Sequence, residues 1–375
     1  MSRWRKYAAL AASIVAIAVL LAGCGLPGTI ASGGTLPQAR PAPTATPLPP
    51  VRFPQDEAPH HDLTEWWYYT GHLYASDHAH TYGFELTFFQ TLRGGLSPYY
   101  AAHFAVSDIT RGQFHYDQRA AFESASVIPP SGSTQGFHLA LDGWSASGLN
   151  GSDHLRAAMA GYSIDLALKA ETPPVLHGGN GLISYGDAGF SYYYSRPLMA
   201  VTGSVVDHGV SVPVTGQAWM DHQWGNFLTL AGTGWDWYSI QLDNRTEYML
   251  YVIRGAQNQP VSAFGTAVAA DGSASEIPAS AIHIRVLGTW TSPVTGGVYP
   301  SGWAITVASQ HLSLTLTPQL KDQELVTTSS TGVAYWEGAV SIDGTAGGKG
   351  LRGVGYVELT GYATTSSAGL GATAP

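Results

Sequence analysis

Between Trp219 and Asp243 the chain places four tryptophans, one tyrosine, three aspartates and one histidine within 25 positions. The first part reads Trp219-Met220-Asp221-His222-Gln223-Trp224-Gly225, and the second runs from Gly234 through Trp235-Asp236-Trp237-Tyr238-Ser239-Ile240-Gln241-Leu242 to Asp243. Indole brings a large apolar surface, and a carboxylate in such surroundings is costly unless it is paired or protonated. An acid kept protonated by desolvation can donate a proton, and an imidazole beside it can take one from water. In strand geometry His222 shares a face with Trp224, and Asp221 shares the other with Gln223. Further on, Trp235, Trp237, Ser239, Gln241 and Asp243 fall on one side, with Asp236, Tyr238, Ile240 and Leu242 on the other. One of these faces can line a cavity in which an acid, an imidazole and indoles meet. The same pattern equally describes an aromatic core whose polar residues are capped by hydrogen bonds.

The elements that would position these groups read as strands. Charged residues are only 11 % of the chain, aromatics another 11 %, and glycines number 45. With short alternating runs and frequent turn signals, that composition points to an all-β protein. Residues 65–73 and 82–89 form an expected hairpin about a turn at Ala75-Ser76-Asp77, and 101–108 a third strand. Tyr192-Tyr193-Tyr194 and Val201–Val205 lead toward Asp221. One short helical turn is expected from Asp153 to Ala160. A weak repeat is visible: residues 67–73 and 82–89 are echoed at 237–243 and 247–253, and Gly216–Asp221 is echoed by Gly353–Glu358. Two antiparallel β domains in tandem follow, with a boundary near 226–234.

The N-terminus reads as an address. Arg3, Arg5 and Lys6 precede an almost wholly apolar run, Ala8 to Ala22, which is too short for a spanning helix. It ends in Leu21-Ala22-Gly23-Cys24, similar to a bacterial lipobox, and Cys24 is the one cysteine. The expectation is a signal peptide over 1–23 and a lipid anchor on Cys24. A proline-rich disordered tether over 24–58 would hold the body outside the bacterial membrane. Residues 365–375 read as a disordered tail. A single cysteine excludes an intrachain disulfide. A formal charge of −9 argues against a nucleic-acid partner. The sequence leaves the oligomeric state open.

Other chemistries leave little trace. There is no Gly-x-Ser-x-Gly elbow and no His-Glu-x-x-His. Twelve of the 14 histidines precede residue 223, including His60-His61, His72 and the pair His78 and His80. The last two fall in the expected turn without a spaced acidic ligand, so neither a metal nor any other cofactor is expected. Glu65 and Glu85 can pair with histidines across the first sheet, though solvent-facing strand positions would explain them equally well. Gly348 to Gly353 formally fits a dinucleotide fingerprint but precedes a strand, so it reads as a hairpin turn.

Several ordered motifs resemble the AttH and carotenoid 1,2-hydratase (hydroxyneurosporene synthase) family. They are Glu65-Trp66-Trp67-Tyr68-Tyr69-Thr70-Gly71, Ala102-His103-Phe104-Ala105, Asp221 to Gly225, Trp235-Asp236-Trp237, Tyr335-Trp336-Glu337-Gly338 and Gly355 to Tyr362. The resemblance covers roughly 58 to 363. It implies two lipocalin-like barrels packed side by side, over 59–228 and 229–364. It also implies a hydratase that adds water to an alkene without a cofactor. By that resemblance the family's His-x-Trp maps onto His222 and Trp224 and its later acid onto Asp243, with Gln241 where the family carries a tyrosine. The expected roles are Asp243 as acid, His222 as base or orienter, and Asp221 fixing local geometry. Trp224 and Trp237 would wall an elongated apolar cavity, with Trp235, Tyr238, Gln241 and Trp67 as further substrate contacts. The function implied is a hydratase, lyase or isomerase acting on an apolar, isoprenoid-like molecule. The alternatives are a carrier of such a molecule and a secreted hydrolase.

Overall fold

The computed structural model describes residues 48–93, 97–123, 134–185, 189–227 and 234–363. The leader, Cys24, the tether as far as residue 47 and the 365–375 tail lie outside the described residues. Two large sheets, each curled into a barrel, account for the fold. The first contains β1 (Thr64–Ala75), β2 (Thr81–Thr91), β3 (Tyr99–Asp108), β4 (Gln113–Phe122), β5 (Phe137–Leu141), β6 (Trp144–Leu149), β7 (Ser152–Met159), β8 (Tyr162–Ala170), β9 (Val175–Leu176), β10 (Leu182–Ser184), β11 (Phe190–Asp207) and β12 (Val210–Gly225). The second contains β13 (Gly234–Leu242), β14 (Glu247–Arg254), β15 (Pro260–Val268), β16 (Ala274–Pro278) and β17 (Ile282–Val286). After a small two-stranded ribbon, β18 (Thr289–Thr291) with β19 (Val298–Pro300), it continues as β20 (Trp303–Val307), β21 (Leu312–Pro318), β22 (Glu324–Thr327), β23 (Val333–Ala346) and β24 (Lys349–Thr360).

The repeat read in the sequence is a repeat of topology. In the first barrel the opening strand β1 pairs antiparallel with both its hairpin partner β2 and the closing strand β12. In the second, β13 pairs in the same way with β14 and β24. Period-two alternation fills each interior. Trp67, Tyr69, Phe84, Leu86, Phe104, Trp144 and Trp224 meet in the first, and Tyr238, Ile240, Trp303, Trp336, Val357 and Leu359 in the second. The helical turn expected over Asp153 to Ala160 is strand β7. Asp153, Leu155 and Ala157 are buried while their neighbours are not, which is the alternation of a strand rather than a helix. Part of the expected tether is also structured. Leu48, Val51 and Phe53 pack against the first core, and Tyr192 donates to the Pro49 carbonyl at 2.7 Å.

Candidate active site

Alternation also gives the facing strands of each barrel a second buried face. On β1, Trp67, Tyr69 and Leu73 turn inward, whereas Tyr68 and His72 reach across to β23 and β24 of the other barrel. On β13, Tyr238 and Ile240 turn inward, and Trp235 and Trp237 pack on the first barrel's outer surface with Tyr68, Tyr193 and Trp219. Close approach has a sequence cause at Gly83. A methyl group there would collide with the Tyr356 hydroxyl, so glycine lets the second barrel seat on the first.

Into this aromatic seam the fold places acids. Glu85 of β2, Asp221 of β12 and Glu337 of β23 are buried, and Glu358 of β24 is half-buried and paired directly opposite Glu337. Among the described residues none of the four has an arginine or lysine as a hydrogen-bond partner. Their partners are phenols, indoles and hydroxyls. Tyr68 donates to Glu337 Oε1 at 2.7 Å, while Glu337 Oε2 has no partner among the described residues. Trp235 Nε1 donates to Glu358 Oε2 at 3.0 Å.

Asp221 is held differently. Its Oδ1 accepts from Trp219 Nε1 at 2.6 Å and from the Ser195 hydroxyl, and its Oδ2 from Tyr193 at 2.6 Å. His177 lies between Ser195 Oγ (2.6 Å) and Thr266 Oγ1 (2.8 Å). With the Ser195 proton committed to Asp221, His177 must donate through Nε2 and accept from Thr266. Three donors converge on Asp221, which favours its ionised form.

A second chain leads to Glu85. Gln118 Nε2 donates to the Val326 carbonyl, so its Oε1 faces Ser330, whose hydroxyl donates to it at 2.7 Å. Ser330 Oγ therefore accepts from His103 Nε2 at 3.0 Å, and His103 Nδ1 accepts from Tyr335 at 2.6 Å. The Tyr335 hydroxyl is thus shared between His103 and Glu85. Its oxygen also lies 3.2 Å from Glu85 Oε1, which already accepts from Thr87 at 2.7 Å. Glu85 Oε2 has no partner among the described residues, and burial favours the protonated form of the carboxyl.

Burial favours the protonated form of the seam acids, and at Asp221 it works against the three donors. Burial pushes Glu85 up to about 7. It pushes Glu337 well above the usual range, helped by repulsion from Glu358 and Glu85. Asp221 reaches about 7, with burial opposed by its three donors. Burial also keeps His72, His103, His177 and His222 neutral, at about 4, 3, 3 and 4. The consequence for stability has a definite sign. Carboxyls raised in the folded state contribute stability that is full below their unfolded value of about 4 and lost as pH rises through 7. The depressed histidines contribute stability that is present above about 6.5 and lost as pH falls toward 3–4. His60 acts with the carboxyls, because Asp56 and Glu65 outweigh its burial and raise it to about 9. Above pH 6.5 only the downward contributions remain. The thermal midpoint is expected to fall between pH 6.5 and 8.5, and Glu85→Gln to flatten that fall, as calorimetry at constant ionic strength can check.

The expected cavity is not the one the fold builds. His222 and Trp224 face the first barrel's interior with Trp67, whereas Trp237 and Trp235 lie in the seam, on the other side of β12. Tyr238 belongs to the second interior. Gln241 bridges the barrels, donating to the Pro197 and Ala218 carbonyls at 2.7 and 3.0 Å. Asp243 is exposed in the turn after β13, where its Oδ2 accepts from the Arg352 amide at 3.2 Å. The strand alternation ends at Leu242, so Asp243 has no apolar wall around it. Asp221 and Trp237 do come together, through Tyr193, to which Trp237 Nε1 donates at 2.9 Å. Glu65 and Glu85 are buried rather than solvent-facing, and Glu65 does meet a histidine across the sheet, His222 of β12 at 2.8 Å. Glu337, Glu358, Tyr335 and His103 were visible only as motif letters. Nothing in one sequence shows that a second barrel covers their face.

Over residues 44–362 the sequence matches the AttH-like family profile. The crystal structure of an AttH candidate from Nitrosomonas europaea superposes with a TM-score of 0.76 at 32% identity, covering 84% of this chain and 98% of that one. Kievitone hydratase from Nectria haematococca has the same fold, with a TM-score of 0.68 at 17% identity over 87% of this chain and 97% of that one. CghA follows with a TM-score of 0.53 at 14% identity, over 88% and 99% of the two chains. No curated protein matches the sequence.

Proposed function

Because the chain belongs to the AttH-like family, we propose that it is a hydratase-like acid–base catalyst, a lyase or isomerase that works without a cofactor at the seam between its barrels. Its substrate is an apolar, isoprenoid-like small molecule. The observation that carries this reading is Glu337, whose Oε1 is engaged by Tyr68 while Oε2, the oxygen left to hold the proton, has no partner among the described residues. Its high pKa keeps that proton in place at neutral pH.

In the hydration direction the Glu337 proton passes to an alkene carbon as the π bond breaks. The cation forms against phenol and indole faces, each worth roughly 0.5–2 kcal/mol. Asp221, whose three donors favour the charged form against its burial, offsets its charge. Water adds to the cation, and the proton it sheds returns to the Glu337 carboxylate, which restores the acid. A cleft of about 270 Å³, with Phe114, Tyr116, Leu320, Asp322 and Val326 in its walls, opens beside the seam. Phe114 and Tyr116 pack with Tyr335, so the cleft borders the aromatic edge of the seam. The carrier alternative is less well supported, since both lipocalin-like interiors are filled by their own side chains. The test is product formation from a panel of terpenoid alkenes by the wild type and Glu337→Gln. Binding of the panel by the wild type with no turnover would favour a carrier.

The lipobox supports placing this catalyst at the outer surface of a bacterial membrane. Cys24→Ser is expected to abolish lipid labelling and block maturation. Labelling that persists in this variant would refute the anchor.

A further inference from the structure

At the end of the first barrel, away from the seam, three donor atoms converge. His60 Nδ1 and His222 Nε2 each lie 2.8 Å from Glu65 Oε1, and all three atoms fall within 4.8 Å of one another. We infer that His60, Glu65 and His222 form a binding site for a divalent transition metal of the zinc class. The inference is independent of the catalytic reading above.

The donor set is of the right kind. Two imidazoles and one carboxylate suit zinc and its neighbours rather than magnesium or calcium, which prefer all-oxygen cages. Ligands at about 2.0–2.1 Å around a tetrahedral ion sit roughly 3.3 Å apart. The two contacts of 2.8 Å therefore need to open by about half an ångström, and the two ring nitrogens, within 4.8 Å of each other, to close by up to about 1.5 Å.

The surroundings point the same way. Metal-bound imidazoles hold a proton on the remote nitrogen, and that proton needs an acceptor. The remote Nε2 of His60 lies 3.5 Å from Asp56 Oδ1, and the remote Nδ1 of His222 lies 3.3 Å from the Tyr194 hydroxyl. Neutral His222 can thus keep its proton on the far side, while His60, raised to about 9, gives up its Nδ1 proton to the ion and keeps the one facing Asp56. Glu65 is oriented as well. Its Oε2 accepts from the His60 amide at 2.8 Å and from Gln90 at 3.1 Å, leaving Oε1 for the ion. Indole faces fix the ring planes: Trp224 stacks on His60 with centroids 4.1 Å apart, and Trp67 stacks on His222 at 4.5 Å.

Access is from one side only. The Glu65 and His222 side chains are fully buried, while that of His60 is 18% exposed. An ion would be held by three protein ligands with its fourth position toward His60 and solvent. The histidines of the β1–β2 turn do not compete, because His80 is tied to Asp77 of its own turn at 2.7 Å.

The test is a titration of the purified, chelator-stripped protein with Zn²⁺ and with Co²⁺, read by calorimetry and by the visible absorption of cobalt. One equivalent per chain is expected, with tetrahedral-type cobalt intensity. His60→Ala, at the rim, should weaken binding at least ~100-fold without changing the far-ultraviolet circular dichroism of the metal-free protein, and Asp56→Asn should weaken it about 10-fold. Glu65→Gln serves as the second ligand variant. Failure of the wild type to take up either ion would overturn the inference. So would uptake that His60→Ala and Glu65→Gln leave unchanged.

Discussion

Glu337→Gln is expected to lower turnover by about 10²- to 10⁴-fold, the range that a well-placed general acid supplies. Glutamine keeps the shape and still offers an oxygen to the Tyr68 hydroxyl, which donates to Oε1 at 2.7 Å in the wild type. What it lacks is the proton on the other side of the group. Binding of apolar ligands, followed by quenching of the seam tryptophans, should survive. The fold should also survive, because replacing a buried acid by an amide removes no packing and eases the crowding among Glu85, Glu337 and Glu358. Asp243→Asn provides the control. That residue is exposed in a turn, so turnover should be unchanged and stability should stay within about 0.5 kcal/mol. Loss of activity in Asp243→Asn with full activity in Glu337→Gln would reverse the assignment of the acid.

Arg254→Met is expected to cost about 3–5 kcal/mol of folding stability, measured by urea unfolding. Arg254 is 1% exposed and lies at the junction of β13, β14 and the end of β24. Its Nε donates to Asp236 Oδ1 at 2.9 Å, and its terminal nitrogens donate to Asn258 Oδ1 and the Thr360 carbonyl. The guanidinium also lies 3.8 Å from the centre of the Tyr362 ring, and the Tyr362 hydroxyl donates to Asp236 at 3.0 Å. Methionine fills much of the volume but leaves the Asp236 carboxyl buried with only Tyr362 and no countercharge. Most of the cost is that stranded acid rather than the lost attraction. Arg254→Met with Asp236→Asn should therefore recover part of the loss, a non-additivity that a double-mutant cycle reads directly. A cost below about 1 kcal/mol for the single variant would show that the pair is not stabilising.

Within strands, the sequence could be read well. Alternation assigned His222 and Trp224 to one face and Asp221 to the other, and it set Trp235, Trp237 and Gln241 apart from Tyr238 and Ile240. Recurrence of the opening and closing motifs conveyed the doubled topology. Across elements the reading failed, for physical reasons. Period-two alternation says which residues share a face but not what that face meets. The His222 face meets a barrel interior and the Trp237 face meets the other barrel, so two pairs expected to share one cavity lie on opposite sides of a sheet. Asp243 was placed by extending the alternation one residue past the end of β13. Glu85 looked solvent-facing because, within its own strand, a polar position between Phe84 and Leu86 is what a solvated face looks like. Only the packing of β23 and its Tyr335 against it makes that position interior. Likewise, His60 and His222 are far apart in sequence and meet only because β1 and β12 pair.

The central claim is that Glu337 is held protonated in the seam at neutral pH, and infrared spectroscopy tests it without knowledge of the substrate. The difference spectrum of wild type minus Glu337→Gln at pH 7 should contain the carbonyl stretch of a protonated carboxylic acid. That band should persist in D₂O with the small shift of an exchanged acid. It should give way to carboxylate bands only at alkaline pH. A difference spectrum that shows only carboxylate bands at pH 7 would mean that Glu337 is ionised, and the seam would have lost its acid.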